Sequence, residues 1–186
     1  MCNYVVLTCE SSVNCLDFSG DYKMVAAGMT ESYIRVWSLD GKALPSMAES
    51  DPSAKPSSSR RLIGHSGPVY AVSFSPSTAR PVPDVPTEPR YLLSASADKS
   101  VRLWSLDTWT CLVAYRAHDS PVLDVTWGPF GHYFVTGAHD RTARLWVTDH
   151  IAPVRMFVGH DNDVDCMAFH PNSAYVFSGS SDRTVR

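Results

Sequence analysis

Three near-copies of one 42-residue pattern, four short apolar runs in each copy and no sustained helical period predict an all-β fold. The expected architecture is a radial array of four-stranded sheets, an incomplete β-propeller with three blades and a truncated fourth. The copies are clearest at ASADKSVRLW (95–104), GAHDRTARLW (137–146) and the unfinished GSSDRTVR (179–186). Their aspartates, Asp98, Asp140 and Asp182, stand 42 residues apart. A second landmark recurs at Gly64-His65, Ala117-His118 and Gly159-His160, with the last two histidines again 42 apart and the first two 53 apart. An insert explains the excess: Phe74 to Leu93 covers 19 positions where Trp127 to Val135 and Phe169 to Phe177 each cover 8, and the surplus is the Pro-rich stretch 80–90.

Within each copy the strands follow in order. The first is a near-alternating run: Val69, Ala71 and Phe74, then Val122, Val125 and Trp127, then Val164, Cys166, Ala168 and Phe169. Ser-Pro, Gly-Pro or His-Pro stops each run, because proline cannot donate to a strand ladder. The second strand is YLLSASA, HYFVTGA or AYVFSGS, the third SVRLWSL or TARLWVT, the fourth TCLVAY or APVRMF. A weaker copy at 13–37 ends at Trp37, which stands 67 residues before Trp104. The excess over one period lies in the Pro-rich insert and in a Ser/Pro-rich stretch within 40–61, whose composition predicts a disordered surface loop. The expected layout is blade one at 13–39, the insert at 40–61, blade two at 62–115, blade three at 116–157 and a partial blade four at 158–186, with a separate strand in 1–12.

Composition narrows the function classes. The chain has 186 residues and 44% apolar content, enough for an ordinary core. A net charge of −3 gives no field to gather phosphate backbones, so sequence-specific nucleic-acid binding is not expected. No apolar run approaches the roughly 20 residues that span a bilayer, and the start lacks a secretory signal, so the chain reads as intracellular with no membrane partner. The five cysteines are scattered and never form a C-x-x-C pair, which favours small packing residues over disulfides or zinc.

The string GH, then S/T-G/A-x-x-D, then R-L-W at a period of 42 resembles the WD-repeat family. In that family a His before the first strand, a Ser or Thr on the second, an Asp in the next turn and a Trp on the third form a hydrogen-bonded tetrad. The resemblance assigns His65, Ser94, Asp98 and Trp104 to one set and His118, Thr136, Asp140 and Trp146 to a second. His160, Ser178 and Asp182 make all but the Trp of a third. Such a network is expected to staple its blade, since a buried imidazole or carboxylate without partners costs about 1 to 3 kcal/mol or more. A Ser-His-Asp triad is the rival reading; a catalytic set, however, is needed once, and this one recurs without a nucleophile elbow. No catalytic residue, cofactor or metal is therefore expected. Blade one departs from the pattern, with Ala27 for the Ser or Thr and Glu31 for the Asp, so apolar packing should hold it. His132, His139, His150 and His170 match no ligand spacing and read as surface or turn residues. Arg102, Arg144 and Arg186, each two before the Trp position, read as side chains lying across neighbouring strands.

The pattern breaks off inside the third strand of blade four, so the sequence reads as a fragment lacking about three blades and prone to self-association. In closed members of the family, a strand such as Tyr4 to Thr8 completes the last blade.

More specific strings are RLIGHSGPVYAVSFSP, RYLLSASADKSVRLWSLDTWTCLVAYRAH, PFGHYFVTGAHDRTARLWVTDH and DVDCMAFHPNSAYVFSGSSDRTVR. They resemble the WD-repeat TBP-associated factors, numbered five, of the general transcription factor TFIID, including off-consensus features such as Phe-His-Pro-Asn-Ser. The resemblance implies a nuclear, non-enzymatic scaffold in TFIID, and in some lineages the SAGA coactivator, that supports assembly of the RNA polymerase II preinitiation complex. It implies histone-fold TBP-associated factors as partners and no small-molecule substrate. Loops are the natural contact surfaces of a rigid scaffold, and those holding Ser66 and Pro68, Asp119 and Ser120, and Asp161 and Asn162 are the candidates. The alternatives are another WD-repeat adaptor, such as a ubiquitin ligase substrate receptor, and a hydrolase using one His-Asp set.

Overall fold

A computed structural model describes residues 11–44, 57–76 and 90–186. Fourteen β-strands and no α-helix occur among the described residues. The first sheet runs β1 (Val13–Phe18), β2 (Met24–Met29), β3 (Tyr33–Ser38) and β4 (Ser59–Ile63), each pairing antiparallel with the next. The second holds β5 (Val69–Phe74), β6 (Tyr91–Ser96), β7 (Val101–Ser105) and β8 (Cys111–Tyr115). The third holds β9 (Val122–Trp127), β10 (Tyr133–Ala138), β11 (Thr142–Val147) and β12 (Arg155–Val158). The last pairs β13 (Val164–Phe169) with β14 (Val176–Ser180), and Val185 bridges Gly179 where a third strand begins.

One boundary differs from the sequence expectation. Ser59–Ile63 is the outer strand of blade one, with Ile34 opposite Leu62 and Trp37 opposite Ser59, so blade one extends beyond 39 and ends just before Gly64-His65. The Ser/Pro-rich stretch thus interrupts blade one between its third and fourth strands. Its two ends are ordered: the Leu44 N–H donates to Ser57 O at 3.0 Å, and Arg60 Nη2 to Leu44 O at 3.1 Å. The body of that stretch, the Pro-rich residues up to 89 and the strand expected at Tyr4 to Thr8 lie outside the described residues.

In the first three blades the second strand buries side chains on both faces and loses the alternation of a half-exposed strand: β2, β6 and β10 are buried along nearly their whole length, whereas β14 of the last blade is mostly half-exposed. Ile34, Val36 and Leu62 of blade one meet Val69, Val72, Leu92 and Trp104 of blade two. Leu93, Val101 and Leu103 of blade two meet Val125, Trp127, Phe134 and Trp146 of blade three. Val135 and Ala143 of blade three meet Val164 and Met167 of blade four. The approach is tight at two equivalent glycines: a Cβ at Gly28 would lie 2.7 Å from Val69 Cγ1, and one at Gly137 2.8 Å from Val164 Cγ1 and 2.9 Å from Val164 O, so the next blade leaves no room for a side chain at either.

Every innermost strand carries the same irregularity. The register slips between Val13 and Cys15, between Val69 and Ala71, between Val164 and Cys166, and opposite Gly137 and Ala138 in blade three. A bulge at one repeat position bends each strand alike, as successive blades require to stay related by one rotation.

Candidate functional site

The loop before each first strand and the turn between the second and third strands lie at the same end of the blade, tied by one recurring backbone bond. The Ala97 N–H donates to Pro68 O, His139 to Pro121 O and Ser181 to Asp163 O, at 2.9, 3.0 and 3.1 Å; in blade one Thr30 donates to Ser12 O at 3.0 Å. This face carries the candidate contact loops. Ser66, Asp119, Asp161 and Asn162 are exposed there, and Pro68 and Ser120 are half-buried.

Below the face the recurring polar residues meet. His65 Nδ1 lies 2.9 Å from Asp98 Oδ2 and its Nε2 2.7 Å from Ser94 Oγ, which also accepts the Trp104 indole N–H at 2.8 Å. His118 bonds Asp140 and Thr136, both at 2.7 Å, and Trp146 Nε1 donates to Thr136 Oγ1 at 3.0 Å. His160 lies 2.7 Å from Asp182 and 2.9 Å from Ser178. With the imidazole neutral, an indole that only donates and an ionised carboxylate that only accepts fix the sense of the chain in the two complete sets. Trp N–H donates to the hydroxyl, the hydroxyl donates to His Nε2, and His Nδ1–H donates to Asp.

A further member was not singled out from the sequence. Two residues after each Asp, Ser100, Thr142 and Thr184 donate hydroxyl protons to Asp98, Asp140 and Asp182 at 2.6, 2.6 and 2.7 Å. Burial pushes the Asp98 and Asp140 carboxyls up. Hydrogen bonds from His65 and Ser100, and from His118 and Thr142, outweigh it and hold both well below the usual carboxylate range. The bond from Thr184 leads in lowering Asp182.

The two complete sets have the connectivity of an acyl-transfer triad, hydroxyl to imidazole to carboxylate, and lack its accessibility. Ser94 and Thr136 are 0% exposed, and each hydroxyl already accepts an indole proton and donates its own, leaving no route for a substrate carbonyl.

Blade one uses other chemistry. Tyr33 stands where the later blades place Ser100 and Thr142; its hydroxyl lies 3.0 Å from Ser11 Oγ, and the Arg61 guanidinium sits 5.1 Å from its ring centre. Val25, Ala27, Met29 and Trp37 pack around it, and Arg35 covers Trp37 at 5.3 Å. Two of the arginines at the equivalent position share a contact: Arg144 Nε donates to Thr142 Oγ1 and Arg186 Nε to Thr184 Oγ1, both at 3.4 Å. Arg144 also pairs with Asp140 at 3.3 Å, and Arg102 lies over Trp104.

Polar stitches between the innermost strands also escaped sequence reasoning. The Phe74 N–H donates to Asp17 Oδ2 across the first blade boundary at 2.8 Å, and the Met167 N–H to Asp124 Oδ2 across the third at 2.6 Å. At the second, Trp127 Nε1 donates to Ser73 O at 3.1 Å. Burial pushes the Asp17 and Asp124 carboxyls up, only partly offset by these N–H donors. Their one sequence signal is a carboxylate inside an apolar strand. Burial likewise raises the neighbouring Cys15 thiol to about 11. His132, His139, His150 and His170 are exposed, and His139 reaches Asp163 of the next blade at 2.7 Å.

Comparison with known proteins places this geometry in context. The family model described as WD domain, G-beta repeat matches residues 2–38, 56–105, 109–147 and 151–186. The chain is 52% identical over 120 residues to the SAGA complex/transcription factor TFIID complex subunit Taf5 of Schizosaccharomyces pombe, covering 62% of this chain and 16% of that protein. It is 44% identical over 130 residues to transcription initiation factor TFIID subunit 5 of Drosophila melanogaster, covering 61% and 17%. Against the F-box-like/WD repeat-containing protein TBL1X of Mus musculus it is 24% identical over 118 residues, covering 63% and 18%. The chain thus spans about a sixth of the length of these relatives.

Proposed function

Because the chain belongs to the WD-repeat family, we propose that it acts as a protein-binding scaffold in TFIID, and in the related SAGA coactivator, supporting assembly of the RNA polymerase II preinitiation complex in the nucleus. Its partners are other subunits of those complexes, the histone-fold TBP-associated factors among them. The observation that carries the reading is the step in identity between relatives of one fold: 52% and 44% to TFIID subunits from a yeast and a fly, against 24% to an F-box-like protein sharing the repeat. The repeat demands only its core and tetrad residues, so likeness beyond them tracks surface and role.

The site chemistry supports a binder. The recurring hydroxyl, imidazole and carboxylate groups are consumed in holding blades two to four, and the loop face above them exposes other polar groups, Ser66, Asp119, Asp161 and Asn162 among them. Rigid sheets presenting exposed loops need no chemical step. The test is affinity purification of the tagged protein from its own cells with mass spectrometry. TBP and histone-fold factors should co-purify; ubiquitin ligase subunits in their place would overturn the assignment and leave the fold intact.

A further inference from the structure

We propose that the hollow between blades two and three on the loop face docks an acidic peptide segment of a protein partner through Lys99 and Arg116. The inference rests on the scaffold reading above, and not on which complex the scaffold serves. The hollow has a volume of ≈ 340 Å³ and is bordered by Ser66, Asp98, Lys99, Arg116, His118 and Asp119. That volume takes one or two side chains and not a folded domain, which fits an extended segment laid across the face.

Its floor is chemically full. Asp98 accepts His65 and the Ser66 N–H on one oxygen and the Ser100 N–H and hydroxyl on the other, while both nitrogens of His118 are bonded to Asp140 and Thr136. The free capacity lies on the rim, where Lys99 and Arg116 are exposed and neither forms an ion pair among the described residues. Lys99 is held in place by its backbone. It sits at φ 67, in the left-handed region, with its N–H on Ser96 O at 3.2 Å and the next N–H on Asp98 Oδ1 at 3.0 Å.

The pair of cations is particular to this boundary. The residues equivalent to Lys99 and Arg116 are Ser32 and Ile63 at the boundary before it, and Arg141 and Val158 at the one after. Lys99 and Arg116 stand against two lining carboxylates, Asp98 and Asp119, so the formal charges balance; the Asp98 oxygens are spent on His65, Ser66 and Ser100, which leaves the two cations and Asp119 as the charged groups open to a partner in a chain of net charge −3. The Arg116 guanidinium can grip a carboxylate with two parallel N–H bonds while Lys99 adds a compact charge beside it. A nucleic acid would need a longer basic track, and Asp119 would interrupt it here.

The test measures fluorescence anisotropy of a labelled hexaglutamate peptide titrated with the whole 186-residue chain, its Lys99→Glu/Arg116→Glu variant and an Arg141→Glu control. The double reversal should weaken binding about tenfold and the control less than about twofold. Thermal melting should not move, since both side chains are exposed and form no ion pair among the described residues. Should the double reversal melt lower, the milder Lys99→Gln/Arg116→Gln variant carries the measurement, with an intermediate loss expected. Equal binding by the double variant, an equal loss in the control, absence of wild-type binding at about millimolar peptide, or tighter binding of a single-stranded oligonucleotide than of the peptide would each overturn the proposal. Peptide binding without co-purified TFIID subunits would sink only the assembly reading. TFIID subunits retained by the double variant, with peptide binding unchanged, would sink only this one.

Discussion

Replacing Thr136 by valine keeps the shape of the side chain and deletes the hydroxyl on which one tetrad turns. In the wild type that hydroxyl accepts the Trp146 indole proton at 3.0 Å and donates to His118 Nε2 at 2.7 Å. Trp146 is 0% exposed and His118 only 7%, so neither orphaned group gains water in compensation. Two buried groups at about 1 to 3 kcal/mol each, less some relaxation, place the loss near 3 kcal/mol. With a urea dependence of about 2 kcal/mol per molar, the midpoint should fall by about 1.5 M. Equilibrium urea unfolding followed by tryptophan fluorescence reads this directly, and His118→Ala supplies the second arm of a double-mutant cycle. Both changes break one chain of bonds, so the double variant should lose clearly less than the two single losses added. A Thr136→Val midpoint within about 0.3 M of wild type, or strictly additive losses, would refute the staple role of the tetrad.

Gly137→Ala should cost about 1 to 3 kcal/mol, because the new methyl meets Val164; Ala95→Gly at the equivalent position of blade two should cost only about 0.5 to 1 kcal/mol, and the same urea assay compares them. Stability should depend on pH through two opposed sets. Asp98 and Asp140 have folded values below the unfolded value of about 3.9, so their contribution is fully present above it and is lost as the pH falls toward the folded values. Asp17 and Asp124 are raised, so theirs is present below the unfolded value and lost as the pH rises through the folded ones. Urea midpoints taken from about pH 2.5 to 7 should therefore show a flatter acid limb in Asp140→Asn and a smaller decline above about pH 4 in Asp17→Asn. Tyr33→Phe should lose about 0.5 to 1.5 kcal/mol with the Ser11 bond while keeping the ring beside Arg61, and Tyr33→Ala should lose more in the same unfolding experiment.

What could be read from the residues alone was what the repeat enforces. His65, His118 and His160 each need the same two partners, so their spacing recurs and the geometry follows it. Features that one blade solves alone left no such trace. Ser59–Ile63 carries two arginines beside a Ser/Pro-rich stretch, which hid its strand character, although it precedes Gly64-His65 as Cys111–Tyr115 precedes Ala117-His118. Asp17 and Asp124 occupy different positions of their strands, Asp17 matching Ser73 and Asp124 matching Ala71, so no repetition marks them. Their partners, Phe74 and Met167, belong to the next blade, and only the stacking of sheets brings them together. Tyr33 read as a departure from the repeat; in the fold it and Ser11 replace a tetrad by an aromatic contact. The loop face was legible as a surface and not as a site, because the pairing of Lys99 with Arg116 depends on two blades meeting.

The bonding of His65 and His118 implies imidazoles held shut as structural links, each with its proton on Nδ1. Nitrogen-15 NMR of the histidine-labelled chain tests it, since two-bond couplings distinguish the tautomers and solvent exchange reports access. His65 and His118 should carry the proton on Nδ1, exchanging with water only as slowly as the blades open. An Nε2-protonated ring, or an Nδ1 proton exchanging as fast as that of exposed His132, would contradict it.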